Sequence, residues 1–263
     1  MGTVKVVFTN KDYRKALKRR KIGGLMPITY FDSAQAYAGS EGYYGAYWSK
    51  NQELRKGVFQ ASKSASRDKK SALADLDYTL KTMGLSHLDL WQIHDIRDKD
   101  DLRKIDSPGG ALEAFVEAKV AGKTRFIGVT GHHDPAILSR AIQDWPVDSV
   151  MMPVNPVEGA MGGFLDTALP LANEKGVAVI AMKVLGASHY IIPQLGITPE
   201  LLIRYALSQL ISMAIIGCST PLEVQALARV GRDFKPLAQE EQQDLINKIR
   251  PYAKKLAFYR GWA

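Results

Sequence analysis

Eight times along the 263 residues a short β-rich run is followed by an amphipathic helical pattern, with no linker and no break in composition between units. Val4–Phe8 reads as the first strand and Lys11–Lys21 as a basic helix. Strands over Ile28–Asp32, Gly57–Ser62, Leu88–Ile93, Thr124–Val129, Val147–Pro153, Val177–Met182 and Ala214–Gly217 complete the set. The helices between them fall near Gly42–Ser49, from the capping Asp68 to Gly84, and over Gly110–Ala121, Pro135–Gln143, Phe164–Lys175, Pro199–Leu210 and Leu222–Val230. In the helix after Asp68, residues Leu73, Leu76, Leu80 and Met83 form one apolar stripe. Strands that alternate with helices imply a parallel sheet covered on its faces. Eight units in this length fit a single closed (β/α)8 barrel of the TIM type, spanning residues 1–263. A further amphipathic helix is expected at about Glu240–Leu256. The competing open, doubly wound sheet usually carries a Gly-x-Gly-x-x-Gly fingerprint after its first strand, and that pattern occurs nowhere here.

Composition narrows the function classes. Apolar residues make up 46% and charged residues 24%, as in an ordinary globular protein. The longest apolar runs, Val177–Met182 and Met213–Cys218, fall far short of the roughly 20 residues that span a bilayer. The first residues lack the apolar core of a secretion signal, so a cytoplasmic, membrane-free protein is expected. The single cysteine, Cys218, rules out disulfides within the chain and all-cysteine metal sites. The net charge of +8 is spread among acidic residues and accompanies no nucleic-acid motif, so it reads as solubility and not as nucleic-acid binding. It would also suit an anionic small ligand.

In such a barrel the active site lies at the C-terminal ends of the strands. The polar residues there are Asp32, Lys63, His94, Thr130, Gly131, Asn155, Lys183, Gly217, Cys218 and Ser219. Asp32, Lys63 and His94 each follow an apolar strand directly on three consecutive units, and Tyr37 comes five residues after Asp32. A phenol, with a reference pKa of about 10, is a poor proton donor near neutrality. A nearby ammonium favours the phenolate, a carboxylate holds that ammonium charged, and a histidine can orient the oxygen to be protonated. Asp32, Tyr37, Lys63 and His94 thus suit proton transfer to a carbonyl oxygen.

Four segments carry a family resemblance: Phe-Asp-Ser-Ala-Gln-Ala-Tyr (31–37) with Gly39-Ser40-Glu41, Ala-Ser-Lys (61–63), Leu-Asp-Leu-Trp-Gln-Ile-His (88–94) and Gly-Lys-Thr-Arg-Phe-Ile-Gly-Val (122–129). In this order they resemble the aldo-keto reductases. The resemblance implies a barrel that binds NAD(P)H across its mouth, NADP(H) ahead of NAD(H), and reduces aldehyde or ketone substrates to alcohols. It implies Tyr37 as proton donor, Lys63 and Asp32 as the groups that tune it, and His94 as the group that orients the carbonyl. The cofactor contacts it implies are Thr130, Gly131, Asn155, Met182, Lys183, Gly217, Cys218 and Ser219.

The cofactor half departs from the better-known members. Thr130-Gly131 stands where they carry Ser-Asn, and Met151 or Met152 where they carry Gln. Met182 replaces the Tyr that stacks on the nicotinamide, and methionine is a softer platform. Ile-Ile-Gly-Cys-Ser-Thr-Pro-Leu-Glu-Val (215–224) lacks the Lys and Arg that grip a 2′-phosphate. The N-terminus is short for the family and lacks its barrel-plugging hairpin, leaving a barrel floor either exposed or covered by a partner. These departures define the alternative: a weak or inactive family member that acts as a nucleotide-binding or regulatory protein.

Other signals are set aside. Gly122-Lys123-Thr124 ends a helix and lacks the first glycine of a phosphate-binding loop. His132-His133 could suggest a metal-dependent barrel hydrolase, but adjacent histidines lack the usual ligand spacing, so no metal site is expected. Trp48, Trp91 and Trp145 read as packing residues, with Trp91 turned to the helices because it alternates with Gln92 and His94; Trp262 is a candidate pocket residue.

Overall fold

The computed structural model describes residues 4–9 and 28–260. In chain order its strands are β1 (Val4–Thr9), β2 (Tyr30–Phe31), β3 (Phe59–Ser64), β4 (Leu88–Ile93), β5 (Thr124–Thr130), β6 (Ser149–Pro153), β7 (Ala178–Met182) and β8 (Met213–Cys218). The helices are α1 (Ser40–Trp48), α2 (Gln52–Arg55), α3 (Lys69–Met83), α4 (Lys99–Asp106), α5 (Ala111–Val120), α6 (Pro135–Asp144), α7 (Pro156–Met161), α8 (Leu169–Glu174), α9 (Pro199–Leu207), α10 (Pro221–Arg232), α11 (Gln239–Ile249) and α12 (Ala253–Leu256). The expected helix over Lys11–Lys21 and Trp262 lie outside the described residues.

Strands β2 to β8 are parallel in sequence order, and the sheet curls into the α/β barrel that the alternation implies. One expectation is corrected. Strand β1 runs antiparallel to β8, with Val4 opposite Cys218 and Thr9 opposite Met213, and it also lies beside β2. A strand edge offers donors and acceptors that a partner of either direction can pair, so alternation alone does not fix direction.

Period-two alternation divides the strands cleanly. Phe59, Ala61, Leu90, Met151, Ile180, Met213 and Ile215 fill the inside of the barrel with Tyr30. Trp91, Ile127, Val150, Val179 and Ala214 point outward into the layer shared with the helices. Trp91 stacks on Phe115 of α5 at 3.6 Å, as its place in the alternation predicts. Helix α3 starts at Asp68, whose side chain accepts from the Ser71 N–H at 2.9 Å, and stops at Gly84 in the left-handed region at φ 64°.

Three other boundaries differ for local reasons. Helix α4 precedes α5 as a separate, highly charged turn. The segment expected as one helix over Phe164–Lys175 opens with a wide π-type turn at Phe164–Ala168 before α8. The C-terminal helix breaks after Ile249 because Pro251 cannot donate to it, and resumes as α12. No helix among the described residues is long and apolar enough to cross a membrane.

Candidate active site

The carboxyl end of β2 delivers Asp32, 1% exposed, into the barrel mouth. The chain beyond it keeps following β3: the Ser33 N–H donates to the Ala61 carbonyl at 3.1 Å and the Gln35 N–H to that of Lys63 at 3.3 Å. It then reverses through Ala38 and Gly39, at φ 39° and 78°, into α1. That reversal leaves Tyr37 half-buried over the cavity.

Lys63, near the end of β3, has no exposed side-chain surface, and neither does Asp32. Its ammonium has three N–H groups and three close acceptors: Asp32 Oδ1 at 2.8 Å, Asp32 Oδ2 at 2.7 Å and the Ser33 carbonyl at 2.7 Å. Nζ lies 4.8 Å from the centroid of the Tyr37 ring. His94, just past β4, meets that ring edge-on at 5.5 Å and 84°. Burial pulls the Lys63 pKa below the ordinary lysine value, while the charges of Asp32 and Glu41 oppose the shift.

Glu41, in the first turn of α1, is a second buried carboxylate. It accepts from Ser62 Oγ at 2.5 Å and from Thr79 Oγ1 at 2.9 Å. Its pKa is raised, chiefly by burial and against those hydrogen bonds.

A cavity of about 560 Å³ opens over this group. Its lining includes the apolar Met151, Met182 and Ile215 together with Lys183, Gly217 and Ser219. The loop after β7 is unusual: Lys183, Gly186, Ala187 and Ser188 all have positive φ, between 52° and 73°. Left-handed non-glycine residues cost of order 1 kcal/mol or more each and cluster at functional loops. Thr130 also lines the cavity, its Oγ1 accepting from the Asp95 N–H at 2.8 Å.

The structure therefore brings Asp32, Tyr37, Lys63 and His94 together, with Thr130, Met182, Lys183, Gly217 and Ser219 around the same space. Three residues expected as cofactor contacts are not among those lining this cavity. Asn155 is fully buried: its Oδ1 caps α7 through the Glu158 N–H at 3.0 Å, and its Nδ2 donates to the Lys183 carbonyl and Tyr259 Oη. It fastens three loops to one another. Cys218 points outward into the core shared with the helices, where burial pushes its thiol up to about 11. Gly131 is buried, and its N–H is bonded to the Met151 carbonyl at 3.2 Å. Of the two candidate methionines on β6, Met151 faces the cavity and Met152 the helices.

Asp95 and Glu41 gain their importance only in three dimensions. Asp95, at φ 57°, sits between Arg97 and two histidines. Burial alone would raise its pKa, but the His132 and His133 imidazoles and Arg97 outweigh burial and hold it well below the carboxylate range. In a third buried cluster, Glu158 pairs with Arg260 and accepts from Tyr259 Oη at 2.6 Å. The signal for Asn155 was present in its sequence: Asn-Pro-Val-Glu is the pattern of a helix start.

The sequence model described as "Aldo/keto reductase family" matches residues 20–190. Among solved structures, the holo form of aldo-keto reductase AKR11C1 from Bacillus halodurans superposes with a TM-score of 0.70 at 19% identity, covering 90% of this chain and 85% of that one. An aldo-keto reductase from Klebsiella pneumoniae in complex with NADPH gives 0.69 at 20% identity, covering 85% of this chain and 80% of that one. An aldo/keto reductase from Brucella melitensis gives 0.65 at 21%, covering 84% of each chain. No curated protein matches the chain.

Proposed function

Because the chain belongs to the aldo/keto reductase family, and is an oxidoreductase by that membership, we propose that it reduces the carbonyl of a small aldehyde or ketone to an alcohol, with NADP(H) ahead of NAD(H) as the cofactor. The observation that carries this reading is the buried Lys63. All three of its donors are satisfied by Asp32 and the Ser33 carbonyl, and it sits 4.8 Å from the ring of a phenol that His94 meets edge-on.

The residues around the cavity fit a dihydronicotinamide. Met151, Met182 and Ile215 offer an apolar wall for a flat ring, and Lys183 on the same cavity offers a cation for phosphate oxygens. When bound there, the cofactor supplies the hydride that goes to the carbonyl carbon. The protein does the rest. Tyr37 Oη gives its proton to the carbonyl oxygen, and the Lys63 ammonium favours the phenolate left behind. Asp32 keeps that ammonium in place and charged. His94 donates to the carbonyl oxygen and orients it. Solvent then returns a proton to Tyr37. The preference for NADP(H) draws on the Klebsiella pneumoniae structure described with NADPH and on the basic cavity residue Lys183.

Fluorescence titration with NADPH and NADH, followed by NADPH oxidation against a panel of aldehydes and ketones, tests the proposal. Tyr37→Phe should lower turnover by about 10²–10⁴ while cofactor affinity stays unchanged, the size expected for loss of a general acid. Full activity in Tyr37→Phe would remove Tyr37 from its role. The second reading, nucleotide binding without reduction, rests on Thr130 and Met182 on the cavity wall, where the better-known members carry Ser and Tyr. It predicts tight NADPH binding with no oxidation against any carbonyl in the panel.

A further inference from the structure

Asp95, from the loop after β4, and His132 and His133, from the loop after β5, belong to no step of the proposed reaction. Both imidazole Nε2 atoms converge on one carboxylate oxygen, Asp95 Oδ1, at 3.0 Å from His132 and 3.2 Å from His133. The three ligand-type atoms all lie within 4.8 Å of one another. Metal bonds of about 2.0–2.2 Å at angles between octahedral and tetrahedral put neighbouring ligand atoms roughly 2.9–3.5 Å apart. Two of the three spacings fall in that range, and the third is no longer than 4.8 Å.

The protonation pattern points the same way. His132 Nδ1 lies 3.0 Å from the Tyr259 carbonyl, which can only accept, so Nδ1 carries the proton. Nε2 is then the ring atom turned to the carboxylate oxygen. This is the outer-shell arrangement usual for a metal-binding histidine, whose other nitrogen donates to a carbonyl. The His133 ring stacks on that of His132 at 4.3 Å, so both imidazoles present their Nε2 atoms to the same carboxylate oxygen. Among the described residues, Asp95 Oδ1 and His133 Nε2 are buried and neither makes a hydrogen bond. Close approach of a buried oxygen and a buried nitrogen without hydrogen-bond alignment suits two ligands of one cation.

The carboxylate is also held for the task. Arg97 donates to its other oxygen at 3.0 and 2.9 Å, and the Asp95 N–H is fixed on Thr130. Asp95 keeps this position at φ 57°, an uncommon conformation for an aspartate.

We propose that Asp95, His132 and His133 form a binding site for one divalent first-row transition ion of the zinc class. Two imidazoles and one carboxylate match the donor preference of zinc, cobalt and nickel, and not that of magnesium or calcium. Three protein ligands leave coordination positions open, and Asp95 and His132 line the main cavity, so those positions face a bound small molecule. The ion ties the β4 and β5 loops together and, through the Tyr259 carbonyl, to the C-terminal segment. The site stands apart from the carbonyl-reductase reading and can be tested without any turnover.

Tag-free protein stripped with a chelator is titrated with Co²⁺ and, separately, with Zn²⁺ against a chromophoric chelator. One equivalent should bind with visible Co²⁺ d–d bands. Asp95→Asn, His132→Ala and His133→Ala should each weaken binding at least tenfold, while His87→Ala and His189→Ala leave it unchanged. X-ray absorption at the Zn edge of wild type should show nitrogen and oxygen neighbours with an imidazole pattern. This readout needs no variant to fold. Absence of saturable binding at micromolar metal, binding indifferent to the three substitutions, or a sulfur shell from Cys218 would each overturn the site.

Discussion

The buried pair Lys63–Asp32 makes the sharpest stability prediction, through Lys63→Met. Methionine nearly fills the space of lysine, so packing is preserved and the charge is what changes. Both side chains are wholly excluded from solvent, so the variant leaves a buried carboxylate and the Ser33 carbonyl facing a thioether. Removing one partner of a buried pair costs about 3–5 kcal/mol, much of it the penalty on the charge left behind. With an unfolding entropy of about 2.1 cal/mol/K per residue across the 263-residue chain, that is a drop in Tm of about 5–9 °C. Asp32→Asn combined with Lys63→Met removes both ions and should recover at least half the loss. Thermal and urea unfolding of wild type, the single and the double variant close the cycle. A pH series adds an independent sign. Burial sets the folded Lys63 pKa below the ordinary lysine value of 10.5. Between those two values the unfolded chain holds more protons, so wild-type stability should rise with pH there, and Lys63→Met should lose that component. A single variant within about 1 kcal/mol of wild type, or a double variant no better than the single, would refute the account of Lys63 as a charge held by its partner.

Three further outcomes follow from other contacts. The folded Glu41 pKa lies above the ordinary glutamate value of 4.5, so its contribution to stability is present at lower pH and lost as pH rises through the folded value. Glu41→Gln, whose amide oxygen can still accept from Ser62 and Thr79, should gain on wild type across that window in urea titrations from acid to neutral pH. Glu158→Gln leaves the Arg260 guanidinium buried without its counter-ion and should cost about 3–5 kcal/mol. Faster amide exchange over residues 256–260 and at His132 is the readout. In Gly45→Ala the new methyl would sit 2.2 Å from the Thr82 carbonyl oxygen, so α1 must move off α3. Overpacking of this kind costs about 1–3 kcal/mol, read as a lower urea midpoint, and turnover should fall with it because α1 carries Glu41.

The meeting of Asp32, Tyr37, Lys63 and His94 at one cavity was legible because each residue has a local sign. Asp32, Lys63 and His94 are polar groups that end or follow apolar strands, and the barrel rule alone brings successive strand ends to one mouth. Alternation was equally informative where it was applied: Trp91 does face the helices. Applied to β8, the same rule would have separated Gly217 on the cavity from Cys218 in the outer core. Asn155 does not line the cavity for a related reason: it stands at a strand end, but its neighbours spell a helix start, and its side chain caps α7. The direction of β1 had no local sign at all, since a period-two pattern reads the same either way along the sheet edge.

What the sequence could not carry is charge balance between segments far apart in the chain. Around Lys63 there are two buried carboxylates for one ammonium, and the structure treats them differently. Asp32 takes the ammonium directly through both oxygens, whereas Glu41 faces two hydroxyls and is pushed by burial towards its neutral form. Burial disfavours the charged form of Glu41, which limits the excess of negative charge around the Lys63 ammonium. Around Asp95 a single carboxylate meets the Arg97 guanidinium and two imidazoles. Neither arrangement follows from spacing, because each joins side chains from at least two βα units. The residue types at the strand ends set which chemistry is available, and the loops decide where the charges rest.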